Sequence, residues 1–328
     1  MSCPLDNLVI TKEMVDKVES TEIIWRKALV KGHVNLWVAP SNGGKTLLAS
    51  LAAKELSDYG YEVYYMQEDA AISDLKEMQQ HAQAHDFKLI SSVLSETTTD
   101  EILNSLKKWT ATEIDLCDYV LIFDTLKKFS EVMHKDSSKQ FFKLMRTLTV
   151  RGATVLLLGH SNKNLTNDGK LIFEGVGDNR NDVDELMYIL SSVSNDSNKI
   201  TFTITPDKVR SKVEKVSFIY EKNSREVTPL ENAVDLMSEL QIQNLYKKDA
   251  GMIANIRHEI MLKELPVTSL VEVINQSMGT GGKKVRACIN RWGPNGLRPE
   301  APLWHERREQ PHNKLFIHLK EGTDSLKK

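Results

Sequence analysis

Four polar groups that close apolar runs have the types and spacing to do chemistry together. The first lies in VNLWVAPSNGGKTLLAS, residues 34–50. Gly44-Lys45-Thr46 ends this stretch as a phosphate-binding loop ends, but Ala39 stands where the pattern G-x-x-x-x-G-K-[ST] has its first glycine. A strand-like run, a tight turn and a helical pattern follow one another here, which is the context in which such a loop works. Backbone N–H groups of Ser41, Asn42, Gly43 and Gly44 would converge on phosphates. The helix N-terminus adds its positive end, Lys45 reaches the β/γ-phosphates and Thr46 offers a hydroxyl to Mg²⁺. Position 39 needs no glycine if its φ is negative, and Gly43 and Gly44 supply the permissive backbone nearest the phosphates. The alternative is a surface turn that happens to contain GGKT.

A phosphate loop alone only binds, and hydrolysis needs a metal-orienting acid and a base. Asp124 ends the apolar run YVLIFD, where a carboxylate can hold the water shell of an Mg²⁺ bound by Thr46. Glu68 follows EVYYMQ, at the strand end nearest the loop in a parallel sheet, and can orient and deprotonate a water. The alternative for Glu68 is an exposed acidic turn. His160 closes TVLLLGH and can hydrogen-bond a γ-phosphate, against the alternative of a structural histidine.

These residues need a scaffold that brings strand ends together. Uninterrupted apolar strands alternating with helical stretches such as KTLLASLAAKELSDYG belong in a parallel sheet covered on both faces by helices, an α/β fold. After residue 184 the connections shorten, and ELMYILSSVSND, KITFTITPDKVRSK and VEKVSFIYEK read as an antiparallel extension of the same sheet. The expected organisation is an approach segment over 1–33, polar and partly helical, an α/β domain over 34–229 and a basic domain over 230–328. The chain has 328 residues, 41% hydrophobic and 27% charged, and a net charge of -2, all ordinary for a globular protein. That charge hides an asymmetry, since residues 237–328 carry about fifteen Lys/Arg against about ten Asp/Glu. No apolar run approaches the roughly 20 residues that span a bilayer, and the start lacks a signal-peptide layout, so no membrane partner is expected and the localisation reads as cytoplasmic. Cys3, Cys117 and Cys288 lie far apart, with no disulfide framework or zinc spacing.

The order of loop, strand-end acid (Glu68), strand-end Asp (Asp124-Thr125-Leu126) and strand-end His (Gly159-His160-Ser161-Asn162) resembles the RecA-like ATPase core over residues 20–225. It is most similar to the hexameric plasmid helicases of the RepA type, in DTLKKF and GHSNKN as well. The resemblance implies ATP and Mg²⁺ as cofactors, with Lys45 and Thr46 as nucleotide and metal contacts, Glu68 as base, Asp124 as the second metal-side acid and His160 as sensor. It also implies a homo-oligomer, expected as a hexamer, in which a neighbour supplies a cation to the γ-phosphate. KVRSK is similar to the K-x-R element of that superfamily and offers Lys208 and Arg210, with Arg180 as competitor; a solvated basic turn is the alternative. By the same resemblance, SNKNLTNDGKLIFEGVGDNRN faces a central channel, where Lys163 and Lys170 would meet single-stranded DNA, unless the loop is a lid over the nucleotide.

The tail reads as helices SELQIQNLYKKD and AGMIANIRHEIMLKEL, a short helix SLVEVINQSM opened by Thr268, a helix KKVRACINRW and two strands, PLWHERRE and NKLFIHL; three helices followed by a hairpin is the layout of a winged helix. Lys283, Lys284, Arg286, Asn290 and Arg291 would lie on or near its reading helix, with Arg307 and Arg308 beside the wing. Such domains also dock proteins. Two functions follow as expectations: a ring-forming DNA motor driven by ATP, or an ATP-switched DNA-binding regulator with slow or no hydrolysis. A small-molecule kinase fits the first loop alone.

Overall fold

The computed structural model describes residues 9–13, 21–130, 135–162, 166, 171–174, 177–193 and 198–319, with 135–137 and 177–179 as backbone only. In chain order the elements are β1 (Ile23–Trp25), β2 (Leu29–Val30), β3 (Val34–Ala39), α1 (Lys45–Asp58), β4 (Glu62–Gln67), α2 (Ile72–Ala84), β5 (Lys88–Ile90), α3 (Thr99–Thr110), β6 (Tyr119–Asp124), α4 (Leu126–Phe129), α5 (Lys135–Val150), β7 (Thr154–His160), α6 (Gly177–Asp182), β8 (Glu185–Val193), β9 (Lys199–Lys208), β10 (Val216–Glu221) and β11 (Val227–Pro229). Then come α7 (Leu236–Leu262), α8 (Val267–Met278), α9 (Gly282–Trp292), β12 (His305–Glu309) and β13 (Lys314–His318). The contacts divide into two compact units, the second beginning at Ser238.

The first unit is built on a nine-stranded sheet in the order β11-β10-β9-β8-β3-β7-β6-β4-β5. Strands β8, β3, β7, β6, β4 and β5 run parallel, and β9, β10 and β11 add an antiparallel margin. Every residue of β3 is buried, as continuous apolar strands require when helices cover both faces. The register sets the strand ends that matter: Ala39 pairs His160, Asp124 pairs Leu158, and Gln67 pairs Asp124. All four strands therefore finish on one edge.

Residues 21–33 do not form the polar approach expected from sequence. They form a hairpin, β1 against β2, whose Trp25, Ala28, Leu29 and Val30 are buried in the core of this unit. Trp25 packs on Trp37 and Phe218 at ring-centroid distances of 5.3 and 5.9 Å. Its indole N–H and the Arg26 guanidinium both donate to Glu55 on α1. Trp25, 2% exposed, is thus part of its own unit's core.

In the second unit α7, α8 and α9 pack around a core that includes Ile256, Ile274, Val285, Ile289 and the buried Trp304. The β12–β13 hairpin pairs antiparallel, and Pro266 bridges Phe316 on β13. Val285, Cys288, Ile289 and Trp292 recur at helical spacing on the buried stripe of α9, as an amphipathic helix requires.

Candidate nucleotide site

The loop after β3 turns on Pro40, whose carbonyl accepts from Gly43 N–H at 2.9 Å. Ala39 is an ordinary, fully buried strand residue, which accounts for the missing first glycine. Asn42 and Gly44 take the left-handed conformation, at φ 60° and 79°. A Cβ on Gly43 would stand 2.9 Å from the Pro40 carbonyl, and one on Gly44 would stand 2.5 Å from the ring of Phe202 on β9. Only glycine fits this cradle. No side chain caps α1, so its first N–H groups are left for an anion.

Lys45 opens that helix and is 8% exposed. Burial lowers its ammonium pKa, against the opposing pull of Asp124 and Asp69. Asp124 is 1% exposed; the Tyr65 hydroxyl and the Gln67 amide both donate to its Oδ2 at 2.9 Å, so these bonds do not use Oδ1. His160, one strand over, is lowered by burial and by the charges of Lys45 and Lys127, with Asp69 and Glu174 pulling the other way. Neither of its buried ring nitrogens has a hydrogen-bond partner. Unpartnered buried polar atoms are costly and mark a place where a group is missing.

Glu68 does not join this group. Both of its carboxylate oxygens are taken by Ser92, one by the backbone N–H at 2.7 Å and one by the hydroxyl. The carboxylate that does lie here is its neighbour Asp69, 3.8 Å from His160 Nε2 and 3.6 Å from Lys128. Consecutive residues leave a strand on opposite sides, which is why one position separates the two fates. Lys127 and Lys128 of α4 also reach the site, and their sequence signal was the DTLKKF run directly after Asp124.

The cations expected to act on a neighbour's nucleotide lie elsewhere. The Arg210 N–H meets the Glu185 carboxylate at 3.3 Å, and Glu185 pairs Asn35. This puts Arg210 about 13 Å behind Ala39 along the strand direction, at the opposite edge of the sheet. It cannot serve its own phosphate loop. Lys208 is not a free partner to it: its ammonium donates to the carbonyls of Arg180, Asn181 and Val183, closing the end of α6. Arg180 is paired with Asp207. Lys163 and Lys170 lie outside the described residues.

Solved structures similar to the chain include the ATPase domain of G40P, at 12% identity over 63% of this chain and 86% of that one, with a TM-score of 0.45. The flagellar accessory protein FlaH from Methanocaldococcus jannaschii matches at 15% identity over 62% and 91%, TM-score 0.41. The KaiC-like protein PH0186 from Pyrococcus horikoshii OT3 matches at 12% over 62% and 91%, TM-score 0.44. No family model and no curated protein matches. At such identities and TM-scores the chemistry has to be read from the residues themselves.

On the second unit, Lys283, Lys284, Arg286 and Asn290 are exposed on α9. Arg291 is not available with them, because its guanidinium donates to Asp249, which also accepts from Trp292 Nε1. Arg307 is engaged by Glu264 and Glu309, and Arg308 is exposed. Cys288 is buried, and burial and Asp249 push its thiol up to about 12, so it is unreactive. Among the described residues no helix is long and apolar enough to cross a membrane, and no cluster of His, Cys, Asp and Glu could hold a metal by itself.

Proposed function

We propose that the chain is an ATPase that drives a DNA motor, acting as a ring of identical subunits with the nucleotide between neighbours. One observation carries this reading: an uncapped helix start with buried Lys45, the buried carboxylate of Asp124 and the unpartnered imidazole of His160 share one sheet edge. That is a cradle for a Mg-nucleotide whose γ-phosphate is sensed. The Ser41–Gly44 backbone and Lys45 would hold the phosphates, Thr46 and Asp124 the metal and its water shell, and His160 the terminal phosphate. The bound metal supplies charge neutralisation as the phosphoryl group leaves. Asp69, beside His160 and Lys128, takes the water-orienting role in this arrangement; Glu68 takes it only by releasing Ser92. Arg210 completes a neighbour's site, and Lys208 positions it by fixing the adjoining turn.

The tail is read as a winged-helix-like domain that meets duplex DNA with Lys283, Lys284, Arg286 and Asn290. A polyanion is the natural partner of that exposed positive face. The second reading, an ATP-switched DNA-binding regulator with slow turnover, is favoured by the Ser92 clamp on Glu68.

The two readings separate on ATP hydrolysis with and without single-stranded DNA, run beside a strand-displacement assay. A motor is stimulated by DNA and displaces a strand, whereas the regulator does neither. Lys45→Ala should lower kcat/KM for ATP by about 100-fold or more, the usual cost of removing a preorganised charge at a phosphoryl centre. Hydrolysis unchanged in that variant would end the proposal.

A further inference from the structure

A cavity of about 650 Å³ lies over α1, between α2 and the turn that follows β10. That is the size of a small-molecule site. Its floor is apolar, made by Leu47 and Leu51 of α1, Met78 of α2 and Tyr220 near the end of β10. Leu47, Leu51 and Lys54 recur at i, i+4 and i+7, and Met78, His81 and His85 at i, i+3 and i+7, so each helix turns one face to the cavity.

Charge gathers around that floor. Lys54 of α1 and Lys222 and Arg225 of the turn line the cavity with a single carboxylate, Glu77 of α2, so three cations against one anion leave about two positive charges uncancelled. Among the described residues neither Lys54 nor the Arg225 guanidinium has an ion-pair or hydrogen-bond partner. Arg225 stands at φ 59°, a conformation that favours Gly or Asn, and the backbone therefore gives no reason for an arginine there. The rings of His81 and His85 meet edge to face at 4.6 Å. Burial lowers the His81 pKa, and His85, Arg225 and Lys54 lower it further, against the carbonyl of Ser50. Two imidazoles one helical turn apart can begin a metal site, but no third ligand joins them among the described residues, and Lys54 and Arg225 repel a cation. The cavity is built for an anion.

A dianion cancels both spare charges where a carboxylate cancels one, and Arg with Lys suits phosphate oxygens. The apolar floor asks for more than a bare ion. We propose that this cavity binds a small phosphate monoester with an apolar body, Lys54 and Arg225 holding the phosphate and Leu47, Leu51, Met78 and Tyr220 receiving the body. Lys54 stands nine residues beyond Lys45 on α1, about 14 Å along the helix axis. The phosphates of a loop-bound nucleotide do not reach it. An anion seated there also relieves His81 of its cationic neighbours, so occupancy raises the pKa of that ring.

Phenyl phosphate is the probe, titrated by calorimetry into the unmodified chain in saturating Mg-ADP, which fills the phosphate loop. Binding should weaken about ten-fold or more in Lys54→Ala/Arg225→Gly, the loss of two charge-assisted contacts. Alanine suits the helix at 54 and glycine the left-handed turn at 225, and far-UV circular dichroism checks both. Inorganic phosphate should bind several-fold more weakly than phenyl phosphate, because it leaves the floor in water. In NMR of the ring protons, assigned with His81→Gln, the His81 midpoint should move to higher pH as phenyl phosphate is added. Equal affinity in the parent and the double variant overturns the site, and equal affinity for the two phosphates overturns the class of ligand. A His81 midpoint that stays in place puts the anion elsewhere. A probe that binds only without Mg-ADP overturns the proposal too, because the cavity then belongs to the loop's own nucleotide.

Discussion

The two edges of the central sheet treat charge in opposite ways. At the front edge Lys45 and Asp124 are buried, and the half-buried His160 has no hydrogen-bond partner for either ring nitrogen. At the rear edge Asp184 binds two arginines and a backbone N–H, Glu185 meets His33 and the Arg210 N–H, and Lys208 is saturated by three carbonyls. The front edge is incomplete in a way a ligand can complete. At the rear edge the buried carboxylates and Lys208 are satisfied within the chain, and only Arg210 keeps more than half of its side chain exposed.

That contrast can be broken at either end. Asp124→Asn should lower kcat for ATP by about 100-fold or more with little loss of stability, since an amide keeps the shape but not the charge; steady-state kinetics and thermal melts measured together check it. Asp184→Asn should do the reverse first, lowering unfolding free energy by about 2–3 kcal/mol as two partly exposed arginines lose their shared anion. In the unmodified chain the Asp184 contribution has a definite sign. Burial raises its folded pKa, but the bonds from Arg146 and Val34 outweigh that and depress it, so the stabilisation is full above the ordinary Asp value and is lost as pH falls below about 4. Denaturant midpoints measured down that range should converge between the variant and the parent.

A smaller effect sharpens the front edge. Asp69→Asn should slow hydrolysis about ten-fold more than Glu68→Gln if the water is oriented from beside His160; the opposite ranking would place the base on Glu68. The smallest concerns His160 alone. Burial and the charges of Lys45 and Lys127 hold its imidazole below the ordinary histidine value, and adding Mg-ATP should raise that pKa as a phosphate oxygen becomes its partner. Heteronuclear NMR of the ring protons follows it, and no movement would separate His160 from the phosphate.

The placement of the strand ends was legible because an apolar run fixes where a strand stops, and parallel pairing then puts the stops on one edge. Asp124 and His160 needed nothing more. Glu68 against Asp69 was not legible, since the choice depends on which side of a pleat faces the loop and on a hydroxyl at Ser92 across the sheet. The β1–β2 hairpin was hidden for another reason: its turn places Arg26 and Lys27 at φ 38° and 60°, with none of the Gly or Asn that announces such a turn. Arg291 sits one residue from the buried Trp292, and its partner Asp249 comes from another helix, so no local pattern removes it from the exposed basic face. In the tail α8, α9 and the hairpin followed their periodicity, whereas SELQIQNLYKKD and AGMIANIRHEIMLKEL, which read as two helices, run on through Gly251 as the single α7. The residues that would test Lys163 and Lys170 lie outside the described chain.

Phe202 presses its ring on Gly44, where any larger residue would collide with it. It belongs to β9, the strand that runs on to Lys208, and only Val209 stands between that strand's end and Arg210. A single extended segment thus touches the phosphate loop near one extremity and carries the outward-facing guanidinium at the other. The register with β8 slips once on the way, between Pro206 and Lys208, so a displacement of the loop that moves the ring meets a bend just before the far tip.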